Sequence, residues 1–152
     1  NLYLVLFQLQ YKYQINIDGT VAAYRLPYLL AGSGVVLKQE SHYYEHFYHQ
    51  MEPMVHYIPF KQDLSDLIKK LEWAKNHDAE AQRISKNAQQ LALDHLLPKE
   101  VFCYHVVLFQ EYAKRLTKPP KIVQGMEHVP QPKNKPLCSC PSTTEKVERD
   151  EL

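Results

Sequence analysis

Between Tyr11 and Leu37 the chain reads as strand, glycine turn, helix, glycine pair and strand, and this alternation constrains the fold more than any other feature. Tyr11, Tyr13, Ile15 and Ile17 alternate with polar residues, which predicts a strand carrying those four on one face. Val21 to Ala31 has helical spacing, with Pro27 tolerable only within the first turn or so. Gly32-Ser33-Gly34 stops that helix, and Val35-Val36-Leu37 reads as a short buried strand. Tyr43 to Met51 suggests a short helix ended by Pro53, and His56 to Phe60 another short strand closed by Pro59. From Asp63 onward the pattern turns helical. Asp63-Leu64-Ser65-Asp66 places acidic and capping residues at a helix start. Leu64, Leu67, Ile68, Leu71 and Ala74 then recur at helical spacing. A second helix is expected from Asp78 to about Leu96, with Ala81, Ile84, Ala88, Leu91 and Ala92 facing inward. A third begins with Pro98 in its first turn and continues to about Leu116. Strands alternating with helices, then a helical end, define an α/β fold with a mostly parallel sheet. So few strands do not make a self-sufficient doubly wound sheet, so more of it is expected upstream.

At 152 residues the chain fits one domain of ordinary size. A formal net charge of +1 lacks the basic excess of a general nucleic-acid binder. The opening run NLYLVLFQLQ is apolar but short of the roughly 20 residues that span a bilayer. It also lacks the basic start and cleavage site of a signal peptide, so a buried strand is the expectation there. No other stretch is apolar and long enough for membrane insertion. The start at Asn1 suggests a fragment or processed product. At the other end, Arg149-Asp150-Glu151-Leu152 is a close variant of the Lys-Asp-Glu-Leu address that returns proteins to the endoplasmic reticulum. The Pro-, Lys-, Ser- and Thr-rich tail before it would keep the signal exposed. These features divide the chain into a packed lobe over residues 1–117, with an atypical start over 1–10, and a flexible tail over 118–152. They place it in the lumen, with the retrieval receptor as a partner.

The chemistry concentrates in the turn from Asp18 to Arg25. Asp18-Gly19 between apolar runs is a hairpin signal, yet Ala22-Ala23-Tyr24-Arg25-Leu26 looks like the first turn of a helix. In an open α/β sheet, ligands sit beyond the carboxyl ends of the strands, where helices begin. Gly19 permits close backbone approach, the amides of Thr20 to Ala23 would point outward, and Arg25 suits a diphosphate. The turn alone equally fits, and taken alone favours, a structural role with Arg25 paired to a carboxylate, because no full Gly-x-Gly-x-x-Gly pattern is present. Lys38, Gln39 and Glu40, at the end of the next strand, point into the same crevice or form a solvated loop. His42-Tyr43-Tyr44-Glu45-His46 matches the His-x-x-Glu-His pattern of inverted zinc peptidases, with His49 following. Its short segment and want of a downstream glutamate on a partner helix favour an ordinary amphipathic helix, and no metal is expected. Cys138-Ser139-Cys140 is too lean for a zinc site and too tight for an internal bridge. Cys103, on an apolar helix face, is either a buried free thiol or, in an oxidising lumen, bridged to a cysteine in missing sequence.

Three runs carry a family resemblance: GTVAAYRLPYLLAGSGVVLKQES, YYEHFYHQMEPMVHYIPFKQDLSDL and FCYHVVLFQEYA. Together they resemble the C-terminal part of the protein O-glucosyltransferases, the CAP10-like glycosyltransferases of the endoplasmic reticulum, over residues 11 to 130. The likeness is greatest to the subgroup with a filamin-like domain and a Lys-Asp-Glu-Leu-like ending. It implies a Rossmann-like, donor-binding lobe of a GT-B glycosyltransferase. It further implies inverting transfer of glucose, or xylose, from a UDP-sugar to serine of EGF-like repeats, with no metal. By that resemblance the donor-binding run falls on Thr20, Val21, Ala22, Ala23, Tyr24 and Arg25, and Glu45 approaches the ribose or supports the pocket. Cys103 resembles a cysteine that bridges to the N-terminal lobe. The family's catalytic base lies in that lobe, so no catalytic residue is expected here, and this chain alone is expected to be inactive. The competing readings are a catalytically inactive, truncated lumenal binding isoform and, from His42, Glu45 and His46, a zinc hydrolase.

Overall fold

The computed structural model describes residues 9–118 and 121–130. The expected strand over the first residues, Cys138, Cys140 and the Arg149 to Leu152 ending lie outside them, wholly or for the most part. Two compact units are present, one running to Leu97 and the other starting at Pro98. The first contains strand β1 (Tyr13–Asn16), helix α1 (Leu26–Ala31), β2 (Val35–Gln39), a single 3-10 turn (Tyr48–Gln50), β3 (Ile58–Phe60), α2 (Leu67–Asn76) and α3 (Asp78–His95). The second contains α4 (Pro98–Lys114).

The strands form a parallel sheet in the order β1-β2-β3. The α/β reading with a parallel sheet therefore holds, and the hairpin suggested by Asp18-Gly19 does not form. Asn16 pairs in register with Lys38, and Gln39 with Phe60, so the three strands end along one edge. Alternate residues of β2 feed two apolar clusters, as the pleat requires. Val36 joins Leu26, Leu29, Leu30, Phe47 and Leu91. Val35 and Leu37 join Ile58, Phe60, Ala74, Ala81 and Ile84.

Helix α3 serves both clusters. Its predicted inward residues Ala81, Ile84, Ala88, Leu91 and Ala92 are all buried, the outcome of a clean 3.6-residue period. Midway along it, the Ser85 hydroxyl donates to the carbonyls of Ser33 (3.0 Å) and Gly34 (3.3 Å). The helix is thereby tied to the amino end of β2.

Several expectations are corrected. On β1 the buried residues are Gln14 and Asn16, whereas Ile15 is 38 % exposed. The loop at Gly34 makes room for the glutamine: a Cβ there would stand 2.7 Å from Gln14 Nε2. Helix α1 starts at Leu26 rather than Val21. Proline belongs in a first turn and disfavours helical backbone before it, so Pro27 sets that start. Tyr43 to Met51 yields only the 3-10 turn; the Ser41 hydroxyl takes the Tyr43 amide at 3.0 Å, a bond that competes with helix formation. Strand β3 begins at Ile58 because a turn precedes it, with Met54 at φ 62° and the Met54 amide bonded to the Tyr57 carbonyl at 2.7 Å. Pro59 sits inside this edge strand rather than closing it, as an edge position allows.

Helix α2 starts at Leu67, not at the expected acidic run. Asp63 and Asp66 instead cap the preceding turn, accepting the amides of Ser65 (3.0 Å) and Lys61 (2.8 Å). Of its predicted apolar positions, Leu64 and Ile68 are exposed, and Ala74 is buried. In the second unit α4 runs as expected from Pro98, ending at Lys114, and buries Cys103. That cysteine is disulfide-bonded, which excludes the free-thiol alternative.

Candidate functional site

The carboxyl edge of the sheet is built by three segments. Beyond β1 the chain enters a loop over residues 17–25, whose conformation is fixed by one acidic side chain. Asp18 donates its amide to Gln39 Oε1 at 3.0 Å, and its Oδ1 accepts the Ala23 amide at 3.1 Å. Gln39 is held in turn by its Nε2, which donates to the Gln62 carbonyl at 2.8 Å. One glutamine at the end of β2 thus connects the loops that follow β1 and β3.

Within the loop, the amides of Thr20, Val21 and Ala22 make no hydrogen bond among the described residues. A Cβ on Gly19 would meet nothing within 4 Å, so the backbone there is open to close approach. The amide of Ala23, expected to point outward with the others, is instead occupied by Asp18. Because α1 starts only at Leu26, these residues form a loop rather than a first helical turn. Tyr24 is 65 % exposed and projects from the loop.

Arg25 closes the loop. Its Nη2 donates to the Ile17 carbonyl at 2.8 Å, which clamps the two ends of the loop together. No carboxylate pairs with it among the described residues, where the ion pairs are Lys12–Asp78 and Lys114–Glu111. Its Nε is buried without a partner. A half-buried guanidinium without a counter-charge retains its capacity for an anion.

Beside this loop, Lys38, Gln39, Glu40, Ser41, Tyr48 and Tyr57 help to line a cleft of about 280 Å³. Lys38 is buried, with its Nζ 4.7 Å from the ring centre of Tyr48 and 5.8 Å from that of Tyr57. Burial lowers the pKa of its ammonium, and the charge of Asp18 opposes that shift. The Tyr48 phenol is pushed up, by burial first and then by Asp18, Glu45 and Tyr57. Burial likewise raises the Tyr57 phenol, with smaller contributions from Glu40 and Tyr44. Glu45 precedes the 3-10 turn and accepts the Tyr48 amide on its carbonyl at 3.0 Å.

Lys38, Gln39 and Glu40 line one cleft, but Thr20 to Arg25 and Glu45 are not among its lining residues; the link to the loop is the Asp18 amide bonded to Gln39. The backbone over 42–46 is not helical, so His42 and His46 share no helical face. No cluster of metal-binding side chains occurs among the described residues. Nothing in the residue pattern marks Tyr48 and Tyr57 as walls of the cleft, since tyrosine is common throughout this chain. A sign for Lys38 existed: a charged residue closes the apolar run Val35-Val36-Leu37, where a strand end is expected.

A parallel α/β sheet here carries an aromatic-lined crevice with a buried lysine at its carboxyl edge, where open α/β sheets place their ligands. The family model for glycosyl transferase family 90 matches residues 4–150, and the chain belongs to that family. It is 58 % identical over 143 residues to protein O-glucosyltransferase 2 of Danio rerio, covering 94 % of this chain and 28 % of that protein. It is 50 % identical over 144 residues to protein O-glucosyltransferase 3 of Homo sapiens, with the same 94 % and 28 % coverage. Protein O-glucosyltransferase 1 of Rattus norvegicus is 38 % identical over 108 residues, covering 71 % of this chain and 28 % of that protein. The resemblance read from the sequence motifs is thus met, and the chain spans 28 % of the length of these relatives. Among the described residues no helix is long and apolar enough to cross a membrane.

Proposed function

We propose that this chain is the nucleotide-sugar-binding lobe of a GT-B protein O-glucosyltransferase, acting on serine of EGF-like repeats with UDP-glucose, or UDP-xylose, as donor. The observation that carries this reading is Arg25, clamped to the Ile17 carbonyl at 2.8 Å and lacking a carboxylate partner among the described residues. Beside it lie the unpaired amides of Thr20, Val21 and Ala22.

In this reading the diphosphate of UDP lies across the loop, accepting from those amides and from Arg25, while Ala23 and Tyr24 shape the loop. Arg25 and the amides stabilise charge on the departing diphosphate as the glycosidic bond breaks, a task that needs preorganised donors and no metal. Glu45, whose carbonyl accepts the Tyr48 amide, approaches the ribose or supports the pocket in this reading. Inversion at the anomeric carbon also needs a base against the acceptor hydroxyl. That base and the acceptor groove belong to the part of such a protein outside this chain, in keeping with the 28 % coverage of its relatives. This chain alone is then inactive. Arg149 to Leu152 serve as the retrieval address of a lumenal enzyme.

The test is glucosyl transfer to a folded EGF-like repeat by the full-length protein, followed by mass spectrometry. Arg25→Ala is expected to slow transfer on the order of a hundred-fold, and Arg25→Lys to rescue it only partly, because lysine lacks the planar fork. Undiminished transfer by Arg25→Ala contradicts the assignment.

A further inference from the structure

Lys38 is held in an arrangement that packing alone does not explain. An ammonium has three N–H donors; here one is directed to the Gln39 carbonyl at 3.1 Å, and no other protein acceptor is found for it among the described residues. Asn16, its register partner on β1, is wholly buried with neither amide atom bonded. Asp18 Oδ2 and the Tyr48 hydroxyl are also buried without partners. Leaving such groups without partners is costly, and their gathering around one lysine, itself at the wall of the cleft with Tyr48, marks a place built for a polar ligand.

The mixture of groups selects the ligand class. A phosphate site gathers donors, whereas the groups around Lys38 are mixed. An amide and a phenol that both donate and accept stand beside it, and tyrosine rings form the wall. Donors and acceptors mixed over aromatic faces complement a polyhydroxylated ring, with its alternating hydroxyls and apolar C–H faces.

We propose that Lys38 is a specificity residue of the donor site: its ammonium, boxed by Tyr48 and Tyr57 beside the Asp18 to Arg25 loop, donates to a hydroxyl of the donor's sugar. Asp18 and Asn16 position that ammonium. This inference rests on the donor-lobe reading and divides the site in two, with the loop and Arg25 taking the diphosphate and the Lys38 cleft taking the sugar.

Calorimetric titration of the chain with UDP and, separately, with UDP-glucose tests it. The wild-type chain is expected to bind UDP-glucose more tightly than UDP. Lys38→Met is expected to weaken UDP-glucose about ten-fold, the scale of one charge-assisted hydrogen bond, and UDP by less than about two-fold. Retained UDP binding also reports that the variant is folded. If Lys38→Met unfolds, Lys38→Arg, which keeps the charge but alters its reach, is expected to show the same selective loss. Parallel weakening of both ligands by a folded variant overturns the sugar assignment in favour of a phosphate contact. An unchanged affinity for both overturns it in favour of a structural lysine. Failure of the wild-type chain to bind UDP contradicts the donor lobe itself and removes the inference with it.

Discussion

Arg25 and Lys38 show how differently two cations can be legible. Arg25 follows a strand, a glycine and a run of small residues, so its position beside a ligand could be argued from neighbours in sequence. What the sequence left open was its partner, and the structure supplies a backbone carbonyl where a carboxylate was the alternative. The surroundings of Lys38 come from separate segments: Asn16 from β1, Tyr48 from the 3-10 turn and Tyr57 from the edge of β3. No periodicity links those residues, and only the sheet register brings them together. The same scale holds a prediction about pH. The Nδ1 of His56 accepts the Glu52 amide at 2.9 Å, and burial lowers the pKa of its ring below 6.5, with Glu52 opposing the shift. The unfolded chain therefore takes up a proton first as pH falls. The stability contributed by neutral His56 is full above its unfolded value and is lost as pH falls through the lower folded one. Denaturant midpoints measured at about pH 7.5 and about pH 5.5 should differ more for the wild type than for His56→Gln. Equal differences would remove His56 as the source.

Among the elements, those with one dominant signal were the readable ones. Helix α3 has a single apolar face and no proline, and every residue predicted to face inward does so. Helix α1 carries two conflicting signals, a helical period from Val21 and a proline at residue 27, and the proline prevailed. Strand β1 showed its two faces in the alternation but not what covers each: Tyr13 and Ile17 pack against the second apolar cluster, while Gln14 and Asn16 on the other face are the more deeply buried. Gly34 is the residue that makes room for Gln14. A Cβ there would stand 2.5 Å from the Tyr11 carbonyl and 2.7 Å from Gln14 Nε2. Gly34→Ala should therefore destabilise the first unit by about 1–3 kcal/mol, the usual range for overpacking. Thermal or chemical denaturation reads this directly, and wild-type stability would show that the loop yields without cost.

For the whole molecule, the sheet and the motifs point to one end of the structure. All three strands run in one direction, α3 is tied to the amino end of β2 through Ser85, and the loop with Arg25 and the end of β2 with Lys38 occupy the carboxyl edge. The general α/β class was legible because strands alternate with helices. The site was legible only in part, because its Asp18 to Arg25 side is continuous in sequence and its Lys38 side is assembled by the fold. Membership of glycosyl transferase family 90 fits this arrangement, and the account turns on whether this edge binds a nucleotide. Titration of UDP into the folded chain, with Arg25→Ala of matched thermal stability beside it, measures that most directly. The account predicts saturable binding by the wild type and a loss of about ten-fold or more in the variant, as befits a charge-assisted contact. Absence of UDP binding to the folded wild type, or equal affinity in Arg25→Ala, would contradict it.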